Sequence, residues 1–357
     1  MSIVARLDIS SQSDGAPIRV LIVDDSVVAR AALTRMVSES PTFEVVAALD
    51  GARRAIDWLG SAQVDIVLLD IQMPGLDGIA ALPELVHACR GARIIIVSTL
   101  AGDGARATIK ALALGAADTL GKPDIDALGR QFGSVLIDKM LRLGKANPAT
   151  FAAGRSPQLL RAAPETAVSC LTIGASTGGL HALAAFFANL PPSFDAPILI
   201  TQHLPPTFMA FFADQLGTLS QRSVRVAADG DVVTAGDVLV APGNAHLTIQ
   251  RIGQCVKVKL LDHAVASRCC PSVDPMFASV ASVFGETALG VVLTGMGRDG
   301  EIGAAAIAEA GGTVIVQDAI SSTVWGMPGT VARAGLASLI AAPEALATYV
   351  SDRGVAR

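Results

Sequence analysis

Aromatic side chains are scarce. The 357 residues include one Tyr, two Trp and 11 Phe, about 4% in all. A core without many large rings must be filled by small and branched aliphatic side chains, and hydrophobic residues do make up 51% of the chain. Heavy use of Ala, Val, Leu and Ile suits buried parallel strands flanked by Ala/Leu helices. Charge is also sparse, at 17% with a net −5 and no basic stripe, which argues against nucleic acid as the main partner. No apolar run reaches the roughly 18–20 residues of a membrane span, so direct membrane insertion is not expected. The start, Met1 to Pro17, is polar and mixed instead of signal-peptide-like. The five cysteines (Cys89, Cys170, Cys255, Cys269, Cys270) contain no CxxC pair, and adjacent Cys269 and Cys270 form a poor metal pattern. Reduced thiols in a cytoplasmic, monomeric protein are the expectation.

The length suffices for two domains. After a polar segment, 1–16, expected to be a flexible tail, short apolar runs alternate with helical patterns. Strands are expected at Ile18–Val23, Phe43–Leu49, Val64–Leu69, Arg93–Val97 and Ala117–Leu120. Helices are expected between them and near Ile125–Leu143. This is a parallel α/β domain spanning 17–143. Ligands of such sheets sit outside the C-terminal strand ends. Those ends carry Asp24, Asp25, Asp70, Ser98 and Lys122. Each alone reads as a helix cap. Together, crowded carboxylates favour a hard cation such as Mg²⁺, and one carboxylate can act as nucleophile toward phosphorus. Lys122 and Ser98 would then meet the phosphoryl oxygens.

Residues 144–166 contain Pro148, Gly154, Pro157 and Pro164 without periodicity, which suits an interdomain linker. A second α/β unit spans 167–350. Strands are expected at Val168–Ile173, Pro197–Thr201, Ala288–Leu293 and Gly312–Val316, with a small β region at 224–261 between them. The strand at Val168–Ile173 runs into Gly174-Ala175-Ser176-Thr177-Gly178-Gly179, which places one serine at the apex of a turn before a helix. Unpaired N–H groups at a helix start suit a developing oxyanion, so Ser176 is a candidate nucleophile, although a phosphate-binding or purely structural turn fits as well. His203 and Asp299 lie at two further strand ends. A serine needs a base, and a histidine held by a buried carboxylate supplies one. Thr177 N–H and Met296 N–H are candidate oxyanion donors. The other histidines, with His246 the closest contender, are read as non-catalytic. Ser176 also fits a GxSxG elbow, but that hydrolase family places its acid before its histidine, and here His203 precedes Asp299. A small-ester hydrolase and a receiver with a binding output both stay open on these residues alone. The glycine spacing is not GxGxxG, so a dinucleotide site is weakly supported.

The first half resembles the receiver domain of two-component response regulators. That resemblance implies phosphorylation at Asp70. It also implies Mg²⁺ on Asp25, Asp70 and the main-chain carbonyl of Gln72, with Asp24 acting through water. Ser98 and Lys122 would be the phosphate switch pair, followed by a cis Pro123. Thr119 stands where many receivers carry an aromatic residue. The second half carries GASTGG (174–179), TQHLPP (201–206), APGNAH (241–246), PSVD (271–274), LTGMGRDG (293–300) and WGMP (325–328). With a receiver upstream, this is similar to the CheB family of chemotaxis protein-glutamate methylesterases. Arg268 departs from the family, which has arginine next to PSVD; Cys269 and Cys270 fill the gap. The resemblance implies a flavodoxin-like (βα)5 receiver joined to a doubly wound, mostly parallel α/β esterase domain. It implies a Ser176–His203–Asp299 triad that demethylates methyl-accepting chemotaxis receptors and also deamidates receptor glutamines. It further implies control by a CheA-type histidine kinase, with no cofactor for the esterase step.

Overall fold

The computed structural model describes residues 16–74, 77–98, 103–122, 130–144 and 160–355. The expected tail, the turn at Gly75 and Leu76, Pro123 and most of the expected linker lie outside the described residues.

The first sheet contains β1 (Ile18–Val23), β2 (Phe43–Leu49), β3 (Ile66–Leu69), β4 (Arg93–Ser98) and β5 (Asp118–Gly121). They run in the order β2-β1-β3-β4-β5, every pair parallel, which is the flavodoxin-like order. Helices α1 (Val27–Ser38), α2 (Ala52–Leu59), α3 (Gly78–Ala88), α4 (Asp103–Ala113) and α5 (Arg130–Gly144) alternate with the strands. All four residues of β3 are buried, as expected of a strand covered on both faces. Each fully buried aliphatic side chain contributes about 1.5–3 kcal/mol. Ser26 caps α1 by accepting from Ala29 N–H at 3.3 Å, and Asp77 caps α3 by accepting from Ile79 N–H at 2.9 Å. Pro83 does not interrupt α3; burial of Ala81, Leu82 and Leu85 carries the helix through it.

The second unit begins with β6 (Cys170–Ala175), α6 (Gly179–Asn189), β7 (Ile198–Gln202), α7 (Pro206–Ser220), β8 (Val224–Val226) and β9 (Val238–Val240). An antiparallel hairpin follows, β10 (His246–Ile252) and β11 (Cys255–Leu261). Then come α8 (Val273–Phe284), β12 (Ala288–Val292), α9 (Glu301–Glu309), β13 (Thr313–Gln317), α10 (Met327–Arg333), β14 (Leu339–Ala341) and α11 (Pro343–Arg353). Seven strands form one parallel sheet in the order β14-β13-β12-β6-β7-β9-β8. The expected small β region is therefore only the β10–β11 hairpin, because β8 and β9 extend the main sheet. The first strand is also displaced from Val168–Ile173 to Cys170–Ala175, which brings its end directly against Ser176. α8 begins at Val273, because Ser272 caps it and Pro275 is tolerated in a first helical turn.

β6 lies between β12 and β7, so the chain reverses its strand order beside it. The register pairs Gly174 with Val292 on one side and with Thr201 on the other. Loops leaving β6, β7 and β12 therefore start at one level, over the crevice where such sheets bind ligands. Gly243 supports this edge from below the loop after β7. A Cβ at Gly243 would lie 2.3 Å from the backbone N of Pro206. Gly243→Ala should thus force the Pro205-Pro206 turn to move, at a cost of about 1–3 kcal/mol. Gly51 has open space, and Gly51→Ala should stay within about 0.5 kcal/mol. Midpoints of urea unfolding for the two variants against the parent chain measure the difference.

Candidate active site

Ser176 follows β6 and precedes α6. The turn works because Gly178 adopts φ 76°, and a Cβ there would lie 2.2 Å from Thr323 Oγ1. Backbone bonds fix the serine: Ser176 N–H donates to Thr294 O at 3.0 Å, and Gln202 Nε2 donates to Ser176 O at 2.8 Å. His203 leaves β7 with its N–H on Ala175 O at 3.1 Å. Asp299 comes from the loop between β12 and α9.

Asp299 is 1% exposed, and a buried carboxylate must be fully paired. Its Oδ1 accepts from Ser272 Oγ at 2.6 Å. Its Oδ2 accepts from Val273 N–H at 2.7 Å and meets His203 Nε2 at 2.7 Å. Burial disfavours the charge, but the His203 hydrogen bond, the imidazolium charge, Ser272 and Val273 outweigh it and hold Asp299 well below the usual carboxylate range. Burial likewise opposes a charged His203, yet the hydrogen bond and charge of Asp299, with a contribution from Cys269, raise it to about 9. With Nε2 on Asp299, Nδ1 is the ring nitrogen left to exchange a proton with a substrate or a serine. Among the described residues, Ser176 Oγ makes no hydrogen bond, and the N–H groups of Thr177 and Met296 are donated to no acceptor.

Sequence reasoning passed over the supports of this acid. His246 Nδ1 accepts from Ser272 N–H at 3.0 Å, while His246 Nε2 donates to His263 O at 2.9 Å. His246 thus holds Ser272, which in turn holds Asp299. Asp274 accepts from Gly300 N–H at 2.9 Å and Gly303 N–H at 2.8 Å, pinning the start of α9 next to Asp299. Burial first, and the nearby Asp299 charge, push Asp274 up to about 6. The signal in the sequence is the PSVD stretch itself, which contains both Ser272 and Asp274.

The first sheet carries a second constellation. Asp24 and Asp70 are buried, Asp25 is exposed, and candidate ligand oxygens of the three lie within 4.8 Å of one another. Lys122 Nζ lies 2.6 Å from Asp24 Oδ2 and 2.6 Å from Asp70 Oδ2. Gln72 N–H donates to Asp70 Oδ1 at 3.2 Å. Burial raises Asp70, opposed by Lys122. Ser98 Oγ is buried, with no hydrogen-bond partner among the described residues. Three carboxylates on one cluster are an all-oxygen donor set that fits a hard divalent cation, and Ser98 supplies an uncommitted hydroxyl beside it.

The two constellations are joined by contact between the units. Gly178 N–H donates to Ala117 O at 2.9 Å. Thr177 Oγ1 donates to Asp118 Oδ2 at 2.9 Å, and Asp118 Oδ1 pairs with Lys139 Nζ at 2.8 Å. Met296 packs against the apolar cluster of β1, β3, β4 and α5. The Arg106 guanidinium of α4 lies 5.2 Å from the centre of the Phe211 ring of α7. A cavity of about 230 Å³ remains between the units, with Ser176, His203 and Met296 on one wall and Ala117, Asp118 and Lys139 on the other.

Comparison with known proteins agrees with this layout. The family profile described as CheB methylesterase matches residues 171–350, and that described as response regulator receiver domain matches 20–131. A protein-glutamate methylesterase/protein-glutamine glutaminase 2 of Caulobacter vibrioides is 41% identical over 342 residues, covering 94% of this chain and 98% of that one. A protein of Rhodospirillum rubrum named protein-glutamate methylesterase/protein-glutamine glutaminase 1 is 38% identical over 374 residues, covering 96% of each. Among solved structures, the Thermotoga maritima CheB methylesterase catalytic domain superposes with a TM-score of 0.51 at 34% identity, covering 52% of this chain and 99% of that one. A receiver sheet followed by a parallel α/β unit, matched over nearly its whole length by such relatives, places the chain in the CheB methylesterase family.

Proposed function

We propose that the chain hydrolyses γ-methyl esters of glutamate side chains on methyl-accepting chemotaxis receptors, and receptor glutamine amides by the same route, under control of phosphorylation at Asp70. The observation that carries the reading is the paired His203 and Asp299 beside Ser176, at the level ends of three neighbouring strands, with residues of the other unit seated over them. Ser176 Oγ attacks the ester carbonyl carbon while His203 Nδ1 takes its proton. Thr177 and Met296 N–H groups receive the oxyanion; one such donor is worth about 3–4 kcal/mol. The tetrahedral centre collapses to a glutamyl-serine ester, and methanol leaves with the proton from His203. Water repeats the sequence in reverse roles, releasing the glutamate carboxylate and Ser176. Asp299 stays ionised and holds the imidazolium.

Asp24, Asp25, Asp70 and the Gln72 carbonyl would hold Mg²⁺, which when bound neutralises phosphoryl oxygens. Asp70 is then the acceptor of a phosphoryl group from a histidine kinase of the CheA type, with Lys122 and Ser98 left to pair its oxygens. Lys122 now bridges Asp24 and Asp70, so a new phosphoryl group redistributes the contacts at the ends of β1, β3 and β5 at once. A receptor helix is about 10 Å or more across, and a 230 Å³ cavity admits a side chain only. Activation therefore requires the two units to separate at Ala117 and Asp118.

Methanol release from methylated receptor membranes should be abolished in Ser176→Ala, whereas Asp70→Asn should keep basal release and lose stimulation by a phosphodonor. Full activity of the serine variant would refute the nucleophile. For the base, the sign follows from the raised pKa. The imidazole must be neutral to accept the serine proton, and it is neutral above its own pKa, so kcat/KM should climb with pH until about 9. A profile already flat at pH 7 would contradict that environment. Asp118→Ala removes the acceptor of Thr177 Oγ1. A charge-assisted bond of about 1.5 kcal/mol converts to roughly a tenfold larger open fraction. Unstimulated release should rise by up to that factor, while the fully phosphorylated rate stays the same.

A further inference from the structure

The vicinal cysteines lack a metal-binding spacing in the chain, but the fold supplies what the spacing lacks. Cys269 Sγ, a ring nitrogen of His203 and a carboxylate oxygen of Asp299 lie within 4.8 Å of one another. Nitrogen, sulfur and oxygen from these three residue types are the ligands a borderline-soft divalent ion takes. Bond lengths of about 2.0–2.3 Å in a tetrahedral site set ligand separations of roughly 3.3–3.8 Å. Reaching that size from 2.7 Å for the His203 Nε2–Asp299 Oδ2 edge, and from at most 4.8 Å for the others, takes shifts of about 1 Å, within the reach of side-chain adjustment. The carboxylate is already oriented by Ser272 Oγ and Val273 N–H, the outer contacts that metal-bound carboxylates use. Cys269 Sγ makes a long contact, 3.7 Å, to Ser267 O and also faces His203. His203 and Cys269 are half-buried, so an ion can reach the triangle, and three protein ligands leave a fourth position for water.

We propose that His203, Cys269 and Asp299 form a three-ligand binding site for Zn²⁺, and that the bound ion switches the esterase off. Binding exchanges protons for the metal. The Cys269 thiol gives up its proton, and His203 gives up the one on its coordinating nitrogen if that nitrogen carries it. Inhibition follows from the ring. An imidazole coordinated through one nitrogen keeps its proton on the other, so no lone pair remains to accept the Ser176 proton. Binding does not depend on the proposed reaction; inhibition rests on His203 being its base.

The test uses the full chain, Co²⁺ alone as a spectroscopic probe without Mg²⁺, and Zn²⁺ in the methanol-release assay. Wild type should show a sulfur-to-cobalt charge-transfer band in the near ultraviolet, lost in Cys269→Ser and kept in Cys270→Ser. The acidic cluster of the first sheet offers oxygen only, so Co²⁺ bound there gives no such band. Cys269→Ser should need at least about tenfold more Zn²⁺ to halve its own zinc-free rate. His203→Ala should weaken cobalt binding as judged by the same band, an outcome that holds even if His203 proves not to be the base. Absence of the band in wild type, or its survival in Cys269→Ser, overturns the site. Equal zinc inhibition of wild type and Cys269→Ser overturns the switch.

Discussion

A buried carboxylate that must be satisfied on every side dictates the arrangement around it. Asp299 is almost wholly buried, and its partners come from three different places: His203 after β7, Ser272 and Val273 at the start of α8, and through them His246 on the hairpin. Leaving such a charge unpaired costs several kcal/mol, so these elements cannot drift independently. The hairpin's edge residue, His246, sets the orientation of the acid two steps away. Asp274 adds a second constraint, because its two backbone bonds tie α9 to α8 and so fix the loop that carries Asp299. The raised His203 and the depressed Asp299 are two sides of one ion pair in a poorly solvated place.

The other unit uses the same economy of charge. Lys122 holds Asp24 and Asp70 together from the end of β5, and the opposite end of β5 presents Asp118 to Thr177. β5 is four residues long, so a strand rise of about 3.3 Å per residue puts the two functions within roughly 10–13 Å of each other. One short strand thus has one end in the acidic cluster and the other against the serine turn.

Much of this was legible in the sequence because parallel sheets place chemistry at strand ends. The run Ile18–Val23 ending in Asp24 and Asp25, and the run ending at Asp70, identify their own sites once the alternation of strands and helices is seen. The same rule singles out Ser176, His203 and Asp299, which follow strands of one sheet. What it could not find were groups whose role depends on long-range packing. Val224–Val226 and Val238–Val240 read as part of a small β region because three-residue strands carry too little pattern to reveal which sheet they join. His246 sits at the first position of β10 and looks like any buried histidine until Ser272, 26 residues on, is seen at its Nδ1. Cys269 has no metal spacing in the chain; its partners lie on other loops. Residues 325–353, with α10, β14 and α11, carried a motif but no clear periodicity to divide them.

The contact between units is the least legible feature and the most consequential. Neither Ala117 nor Asp118 carries a local signal, since each matters only through docking of two folded bodies. Yet the chemistry of that contact follows from the site it covers. The start of α6 concentrates unpaired N–H groups and the positive end of a helix dipole. Such a place attracts any electron-rich oxygen, whether a developing oxyanion or a resting carbonyl. Ala117 O takes the N–H of Gly178, and the Asp118 carboxylate takes the hydroxyl of Thr177, the residue whose own N–H remains undonated among the described residues. The electrostatics suited to an oxyanion at this turn are thus the same ones that draw the neighbouring unit onto it.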